Sequence, residues 1–178
     1  MTRLILLDRD GVINFDSPEY IKRPSEWIPL PGSLDAIADL HSAGYLVGIC
    51  SNQAGIARGK LSNSDLEAIH QKMCTAITDA GAQLSCVHYC RHHPDDGCAC
   101  RKPNPGMLEA AMRELSVPPD QTMFVGDSLK DIQASLAAGC QPVLVRTGNG
   151  RSCEAPARAL TPLRVFDDLS HFAAVLLS

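Results

Sequence analysis

Acidic and hydroxyl side chains follow short apolar segments at several points of this 178-residue chain. Residues 4–7 run into Asp8 and Asp10, a later apolar run ends at Ser51, and another ends at Asp127. Phosphoryl transfer needs a nucleophile, an acid for the leaving oxygen, a cation that neutralises charge, and donors for the phosphoryl oxygens. Carboxylate oxygens are also the ligands that Mg²⁺ prefers. The pattern therefore predicts a magnesium-dependent phosphoryl-transfer site.

The position of each residue in this set indicates its role. Asp8 ends the first apolar run and can point into the site as the nucleophile, and Asp10 returns from the loop as the acid and base. Asp127 is the natural third metal ligand beside them. Lys102 supplies a fixed positive charge opposite the metal, and Ser51 can donate a hydrogen bond to a phosphoryl oxygen.

The segment 90–100 combines three cysteines with two adjacent histidines, namely Cys90, His92, His93, Cys98 and Cys100. Three thiolates and one imidazole complete a closed tetrahedral zinc site, so zinc bound here would be structural. Adjacency makes it difficult for both histidines to bind one ion. The segment ends two residues before Lys102, and we expect zinc to position that lysine for the substrate.

Short apolar runs alternate with longer amphipathic runs along the chain. The predicted strands are residues 4–7, 45–50, 86–89, 122–125 and 142–145. The predicted helices are residues 34–43 with Ser33 as N-cap, a helix capped by Ser62 or Ser64 and reaching 80, and residues 105–115, 128–138 and 167–177. The alternation predicts one α/β domain over residues 1–178, with a doubly wound, mostly parallel sheet. Ligands bind beyond the carboxyl ends of such strands.

Composition excludes other classes of function. A formal charge of -4 leaves no basic surplus for nucleic acid. No segment approaches the ~20 apolar residues of a membrane span, so we expect a cytoplasmic protein. We also expect it to be a monomer. Eight cysteines in such a chain favour metal ligation or buried thiols over disulfides.

Four segments of the chain resemble the ordered motifs of the haloacid dehalogenase (HAD) superfamily. They are Asp8-Arg9-Asp10-Gly11-Val12, Ser51-Asn52, Lys102-Pro103 and Gly126-Asp127-Ser128-Leu129-Lys130-Asp131. The resemblance implies a Rossmann-like fold and an aspartyl-phosphate formed on Asp8. It also implies that Asp8, the backbone carbonyl of Asp10 and Asp127 bind Mg²⁺. Asp131 would orient Lys102 or a metal-bound water, and a second aspartate at Asp10 is typical of phosphatases.

The zinc loop and the short connections after the first two strands resemble a subgroup with little or no cap domain. In that subgroup the histidine two residues after the first cysteine binds zinc, which favours His92. Residues 51–59 and 100–107 resemble the D-glycero-D-manno-heptose 1,7-bisphosphate 7-phosphatase family, which serves bacterial cell-envelope heptose precursor synthesis. The length of the cysteine loop instead resembles histidinol-phosphatases, which remain the alternative.

The substrate would be a small sugar phosphate, recognised by loops. The residues that we expect to contact it are Asn52, Arg58, Arg101, Asp16 and Tyr20. Arg101 is implied by the resemblance. Arg58 follows from the need of a second phosphate for another guanidinium group. Asp16 and Tyr20 lie in the first loop, where they can bind sugar hydroxyls.

Overall fold

The computed structural model describes residues 3–178, in which six parallel strands form one sheet. The strands are β1 (Leu4–Leu7), β2 (Leu46–Asn52), β3 (Cys86–Cys90), β4 (Thr122–Gly126), β5 (Gln141–Val145) and β6 (Arg164–Phe166). Their order across the sheet is β3-β2-β1-β4-β5-β6. The chain thus winds outward in both directions from β1. This arrangement confirms the predicted doubly wound α/β fold.

Six helices cover the two faces of the sheet in the described part of the chain. They are α1 (Ser33–Ser42), α2 (Asn63–Asp79), α3 (Gly106–Leu115), α4 (Leu129–Ala138), α5 (Gly150–Leu160) and α6 (Leu169–Leu177). Helices α1, α2 and α6 share one apolar core with Ile5 and Leu7. Leu4 and Leu6 face α3 and α4 on the opposite side. Since successive strand residues point to opposite faces, β1 is apolar throughout because both faces are buried.

Helix starts follow local hydrogen bonding, with one departure from the sequence prediction. Ser62 and Ser128 are N-caps, and each forms a reciprocal capping box with the aspartate three residues later. The prediction that Ser33 caps α1 is wrong. Gly32 occupies that position with φ of 74°, and Ser33 is the first helical residue. The Ser33 hydroxyl instead donates a 2.7 Å hydrogen bond to the Ile13 carbonyl, which ties α1 to the loop after β1.

Two elements near the C-terminus were not predicted, α5 and β6. Helix α5 contains Pro156 and buries only Gly150 and Ala157, so few apolar residues mark it in the sequence. Strand β6 is three residues long and pairs with β5 at the sheet edge. Neither element contains an apolar run long enough to be recognised in the sequence, and both are held by packing against the rest of the fold.

The connections that could carry a cap domain are short. Residues 8–32, between β1 and α1, include a single 3-10 turn at Pro24–Glu26, and residues 53–62 join β2 to α2 without a helix or strand. This agrees with the predicted minimal cap. No helix among residues 3–178 has the length and apolar character needed to cross a membrane.

Candidate active site

The carboxyl ends of β1, β2 and β4 open into a cavity of about 520 Å³. Its walls include five of the side chains that the sequence singled out for catalysis and metal binding: Asp8, Asp10, Ser51, Lys102 and Asp127. Parallel register explains the meeting, because β1 pairs with both β2 and β4 and the three strands end at the same edge. The predicted site is therefore one place in the folded chain.

Lys102 lies at the floor of this cavity between two carboxylates. Its Nζ atom is 3.0 Å from Asp8 Oδ2 and 2.7 Å from Asp131 Oδ1, and the Lys102 side chain is 2% exposed. Burial acts to lower the lysine pKa, but Asp131 and then Asp8 outweigh it and raise the pKa above its usual value. The ammonium group therefore stays charged, which is consistent with the phosphate-binding role predicted for it.

Asp131 is held by the start of α4. Its Oδ2 atom accepts hydrogen bonds from the Ser128 hydroxyl at 2.7 Å and from the Ser128 amide at 3.0 Å. Its other oxygen thereby points at Lys102. Of the two roles expected for Asp131, the contacts match the one in which it orients Lys102.

Asp8, Asp127 and Asp131 present carboxylate oxygens within 4.8 Å of one another. Burial raises the Asp8 pKa well above its usual range, and Lys102 only partly offsets this. Burial and the charge of Asp131 raise the pKa of Asp127 to about 7. Crowded carboxylates of this kind fit a divalent cation, which would relieve their repulsion.

The Asp127 carboxylate is fixed by backbone that approaches it closely. The Asn149 amide donates to Asp127 Oδ2 at 2.8 Å, and the Asn149 side chain donates to the same oxygen at 3.2 Å. A Cβ atom added at Gly11 or Gly148 would collide with this carboxylate. Both glycines also have positive φ values, 82° and 54°, which favour glycine.

Asp10 points away from the carboxylate cluster towards a buried arginine. Arg9 donates from Nε to Asp10 Oδ1 at 2.9 Å and from Nη2 to Asp10 Oδ2 at 3.1 Å. Asn14 and Gln53 donate further hydrogen bonds to the same carboxylate at 2.9 and 3.0 Å. Burial alone would raise the Asp10 pKa, but Arg9 and these donors hold it below its usual value.

Arg9, Asn14 and Gln53 are site residues that the sequence analysis missed. Arg9 is fully buried and its guanidinium lies 5.9 Å from the centre of the Tyr89 ring. The only sequence feature that could have indicated these residues is their position. Arg9 lies between the predicted site residues Asp8 and Asp10, and Gln53 directly follows Ser51-Asn52. Arginine is rarely buried without a charged partner, and that partner is Asp10.

Ser51 and Asn52 end β2 at the cavity wall. The Ser51 hydroxyl accepts a 3.0 Å hydrogen bond from Gln53 Nε2. The Asn52 side chain exchanges two 3.0 Å hydrogen bonds with the backbone of Lys102, one to its carbonyl and one from its amide. Asn52 lines the cavity, but these contacts give it the role of fixing the Lys102 backbone.

The residues expected to contact substrate fall into two groups. Asp16 and Tyr20 line the cavity from the loop after β1. Arg58 is exposed and Arg101 is half-buried, and neither lines the cavity. Lys130, an exposed residue in the first turn of α4, does line it. Among the described lining residues, Lys102 and Lys130 are the two with basic side chains.

The cysteine loop gathers four ligand atoms beside β3. The Cys90, Cys98 and Cys100 sulfurs lie 3.3–3.6 Å apart, and His92 Nδ1 is 3.2 Å from Cys100 Sγ. His93 is turned away, where it caps the short helix Pro94–Asp96. The geometry thus selects His92 over His93, and the separations match the edges of a tetrahedral zinc site, about 3.3–3.8 Å.

The Cys98 thiol is the most acidic of this loop. Burial acts to raise its pKa, but hydrogen bonds from the Arg101 and Cys100 amides and from the neighbouring thiols lower it to about 7. A thiol with this pKa is substantially thiolate at neutral pH, which is the form that binds a metal. Burial raises the pKa of Cys90, and burial with the two neighbouring thiols raises the pKa of Cys100 to about 12. The donor set therefore fits zinc in geometry and ligand type, and zinc binding would displace the protons of these two thiols.

Known proteins resemble this chain over nearly its whole length. A family model described as HAD-hydrolase-like matches residues 99–172. The D-glycero-beta-D-manno-heptose-1,7-bisphosphate 7-phosphatase of Pseudomonas putida is 47% identical over 98% of this chain and 99% of that protein. The Bordetella bronchiseptica enzyme of the same name is 49% identical, with 98% of each chain covered.

Solved structures agree with these relatives. The crystal structure of D,D-heptose 1,7-bisphosphate phosphatase from B. bronchiseptica, complexed with magnesium and phosphate, matches with a TM-score of 0.94 and 48% identity. The match covers 99% of this chain and 98% of that one. The Burkholderia thailandensis enzyme matches with a TM-score of 0.78, 37% identity and 99% of both chains covered. This chain therefore belongs to the heptose 1,7-bisphosphate 7-phosphatase family of the HAD superfamily.

Proposed function

We propose that this chain removes the 7-phosphate of D-glycero-beta-D-manno-heptose 1,7-bisphosphate through an aspartyl-phosphate on Asp8. The observation that carries the chemistry is the buried contact of Lys102 with Asp8, 3.0 Å, in a cavity that Asp127 also lines. The relatives at 47% and 49% identity carry the substrate, including its beta anomer, in their names. The cytoplasmic location and the monomeric state expected from the sequence stay predictions.

In the proposed reaction a carboxylate oxygen of Asp8 bonds to phosphorus as the bond to the sugar oxygen breaks. Lys102 and Ser51 bind the phosphoryl oxygens while charge develops on them. Asp10 gives a proton to the leaving oxygen and later takes one from the water that hydrolyses the aspartyl-phosphate. Because Arg9 lowers the Asp10 pKa, we propose that the Asp10 carboxyl exchanges its contact with Arg9 for one with the leaving oxygen when substrate binds.

Magnesium would be held by Asp8, the backbone carbonyl of Asp10 and Asp127. When bound, it would neutralise the carboxylates and the charge of the phosphoryl group. Support comes from the crowded oxygens of Asp8 and Asp127, with their raised pKa values. A relative at 48% identity was crystallised with magnesium and phosphate.

Zinc at Cys90, His92, Cys98 and Cys100 is the second metal that we propose. Four protein ligands leave no open position, so the ion would stabilise the loop and take no part in the chemistry. Two hydrogen bonds tie the loop to the segment that follows Lys102: Asn104 Nδ2 donates to the Cys98 carbonyl at 2.8 Å, and the Gly106 amide donates to the Ala99 carbonyl at 3.0 Å. Zinc content below about half an ion per chain in carefully purified protein would count against this site.

The second phosphate of the substrate needs a cation of its own. The sequence predicted Arg58 and Arg101 for this purpose, but Lys130 is the basic residue that lines the cavity beyond Lys102. Asn149, Ser152 and Cys153, at and near the start of α5, also line the cavity. We include Lys130 with Arg101 and Arg58 as candidate contacts to the 1-phosphate.

The experiment that tests this function is phosphate release with Mg²⁺ present, from four substrates side by side. They are the beta and alpha anomers of heptose 1,7-bisphosphate, histidinol phosphate and fructose 1,6-bisphosphate. We expect kcat/KM for the beta anomer of the heptose to exceed the values for histidinol phosphate and fructose 1,6-bisphosphate by at least ~100-fold. That ratio corresponds to ~2.7 kcal/mol of extra transition-state stabilisation. A higher kcat/KM for histidinol phosphate would overturn the proposed substrate and identify the chain as a histidinol-phosphatase.

A further inference from the structure

A second group of metal-binding side chains lies on the outer strand of the sheet, away from the cavity. Cys86 and His88 of β3 and Glu114 of α3 each offer a ligand atom, and these atoms lie within 4.8 Å of one another. None of the three lines the active-site cavity. The group belongs to neither the proposed magnesium site nor the proposed zinc loop.

Strand geometry explains why these side chains meet. Cys86, His88 and Cys90 alternate along β3 and so point to the same face, which α3 covers. Glu114 stands in the last turn of α3 and reaches His88, with Oε2 2.9 Å from Nε2. Cys90 follows Cys86 by four residue steps along the strand, or about 13 Å. An ion at Cys86 would therefore be separate from the one proposed at Cys90.

The three residues form a gradient from core to surface. Cys86 is 7% exposed and its sulfur sits over Gly48 of β2, where a Cβ atom would collide with it. The side chains of His88 and Glu114 are 26% and 53% exposed. A buried sulfur fixed by packing is thus joined by two ligands that can adjust, with solvent on the outer side.

We propose that Cys86, His88 and Glu114 bind a zinc ion in a three-ligand site with water in the fourth position. A thiolate, an imidazole and a carboxylate are each established zinc ligands, and three of them leave the position that catalytic zinc sites keep open. The ion replaces the thiol proton of Cys86, which leaves to solvent, and His88 binds through a ring nitrogen that carries no proton. Tetrahedral zinc holds its ligand atoms about 3.3–3.8 Å apart. His88 Nε2 and Glu114 Oε2 are 2.9 Å apart, so this pair would have to open slightly to admit the ion, and both side chains are partly exposed and free to shift.

Equilibrium dialysis of the full-length protein against micromolar Zn²⁺, followed by metal analysis, tests this site. We expect His88→Ala to bind one zinc per chain fewer than the unaltered protein, whatever the occupancy of the cysteine loop. His41→Ala removes an exposed histidine outside the group and should leave the count unchanged. Equal zinc counts for His88→Ala and the unaltered protein would overturn the proposal.

Two further variants protect the test against a folding artefact. Glu114→Gln keeps a surface hydrogen-bonding group but removes the carboxylate, and we expect at least about 10-fold weaker binding of that zinc ion. Cys86→Ser should reduce the thiolate-to-Cd²⁺ ultraviolet absorption of the Cd²⁺-loaded protein by the contribution of one cysteine, while phosphatase activity persists. If both variants keep full binding and an unchanged Cd²⁺ spectrum, the three side chains are a surface ion pair beside a buried thiol.

Discussion

The carboxylate cluster of the cavity and the cysteine loop are built in opposite ways. Asp8, Lys102 and Asp131 come from the end of β1, the loop before α3 and the first turn of α4. These distant segments meet because they lie at the same edge of the parallel sheet. The cysteine loop draws its ligands from residues 90–100. The first cluster opens into a cavity and mixes charges of both signs, whereas the second uses all its ligands on one proposed ion.

The two regions therefore depend on different interactions. The sheet fixes the charged side chains of the cavity, whereas the proposed metal would fix the backbone of the loop. Lys102 connects them, because it follows Cys100 by two residues and ends in the carboxylate cluster. Each prediction below tests whether the effects of a substitution stay within one region or pass through Lys102 to the other.

Asp8→Asn should give the largest effect, because it removes the proposed nucleophile. We expect kcat to fall by about 10⁴-fold or more. The melting temperature should stay equal or rise, since burial and neighbouring carboxylates disfavour the Asp8 charge. Phosphate release and thermal unfolding measure the two quantities, with Asp39→Asn on the exposed face of α1 as the matched control. Activity retained in Asp8→Asn would rule out the aspartyl-phosphate mechanism.

Lys102→Met should reduce both activity and stability. Loss of the phosphate-binding cation is expected to lower kcat/KM by about 10³-fold. Asp131, 1% exposed, would lose its buried ion-pair partner, which typically costs about 3 kcal/mol in the free energy of unfolding. Denaturant titration checks the stability and steady-state kinetics check the activity.

The control for the stability effect is Lys130→Met, in which an exposed lysine of the same cavity loses its charge. Its free energy of unfolding should change by less than about 0.5 kcal/mol. Equal stability losses in the two variants would mean that the contacts of Lys102 with Asp8 and Asp131 contribute nothing specific.

Cys98→Ser tests whether the loop controls the cavity. We expect loss of the loop zinc and a fall in kcat/KM of about 10- to 100-fold, because Lys102 would be held less firmly. Metal analysis and kinetics on the same preparation measure both, and Cys74→Ser, outside the loop, is the control. A zinc-free variant with full activity would separate the loop from catalysis.

Local sequence was sufficient for much of this molecule. The ligands of the cysteine loop lie within one short segment, so their spacing alone predicted a metal cluster. The caps Ser62 and Ser128 satisfy helix amides within three residues. Ser62 was one of the two predicted caps of α2, and the predicted start of α4 at residue 128 was one residue early. The meeting of Asp8 with Asp127 was also predictable, since strand ends of a parallel sheet share one edge.

What escaped prediction depends on contacts between distant segments. Arg9 looks like a solvated loop residue, and only burial under the Tyr89 ring makes it the partner of Asp10. Asn52 belongs to a recognisable motif, but its amide bonds to the Lys102 backbone fifty residues away. The cavity is lined by Lys130 on the α4 side and also by the start of α5, a helix that the sequence analysis did not predict.

The smallest expected effect concerns that side of the cavity. Lys130→Met should lower kcat/KM about 10-fold for heptose 1,7-bisphosphate and leave the value for heptose 7-phosphate unchanged, because the latter has no second phosphate for the lysine to bind. Arg58→Met and Arg101→Met, assayed on the same pair, are the matched comparisons. Selective loss in Lys130→Met would assign the 1-phosphate to the α4 side of the cavity. Selective loss in Arg101→Met alone would instead bring the 1-phosphate to the end of the cysteine loop, so that the loop would determine substrate choice as well as the position of Lys102.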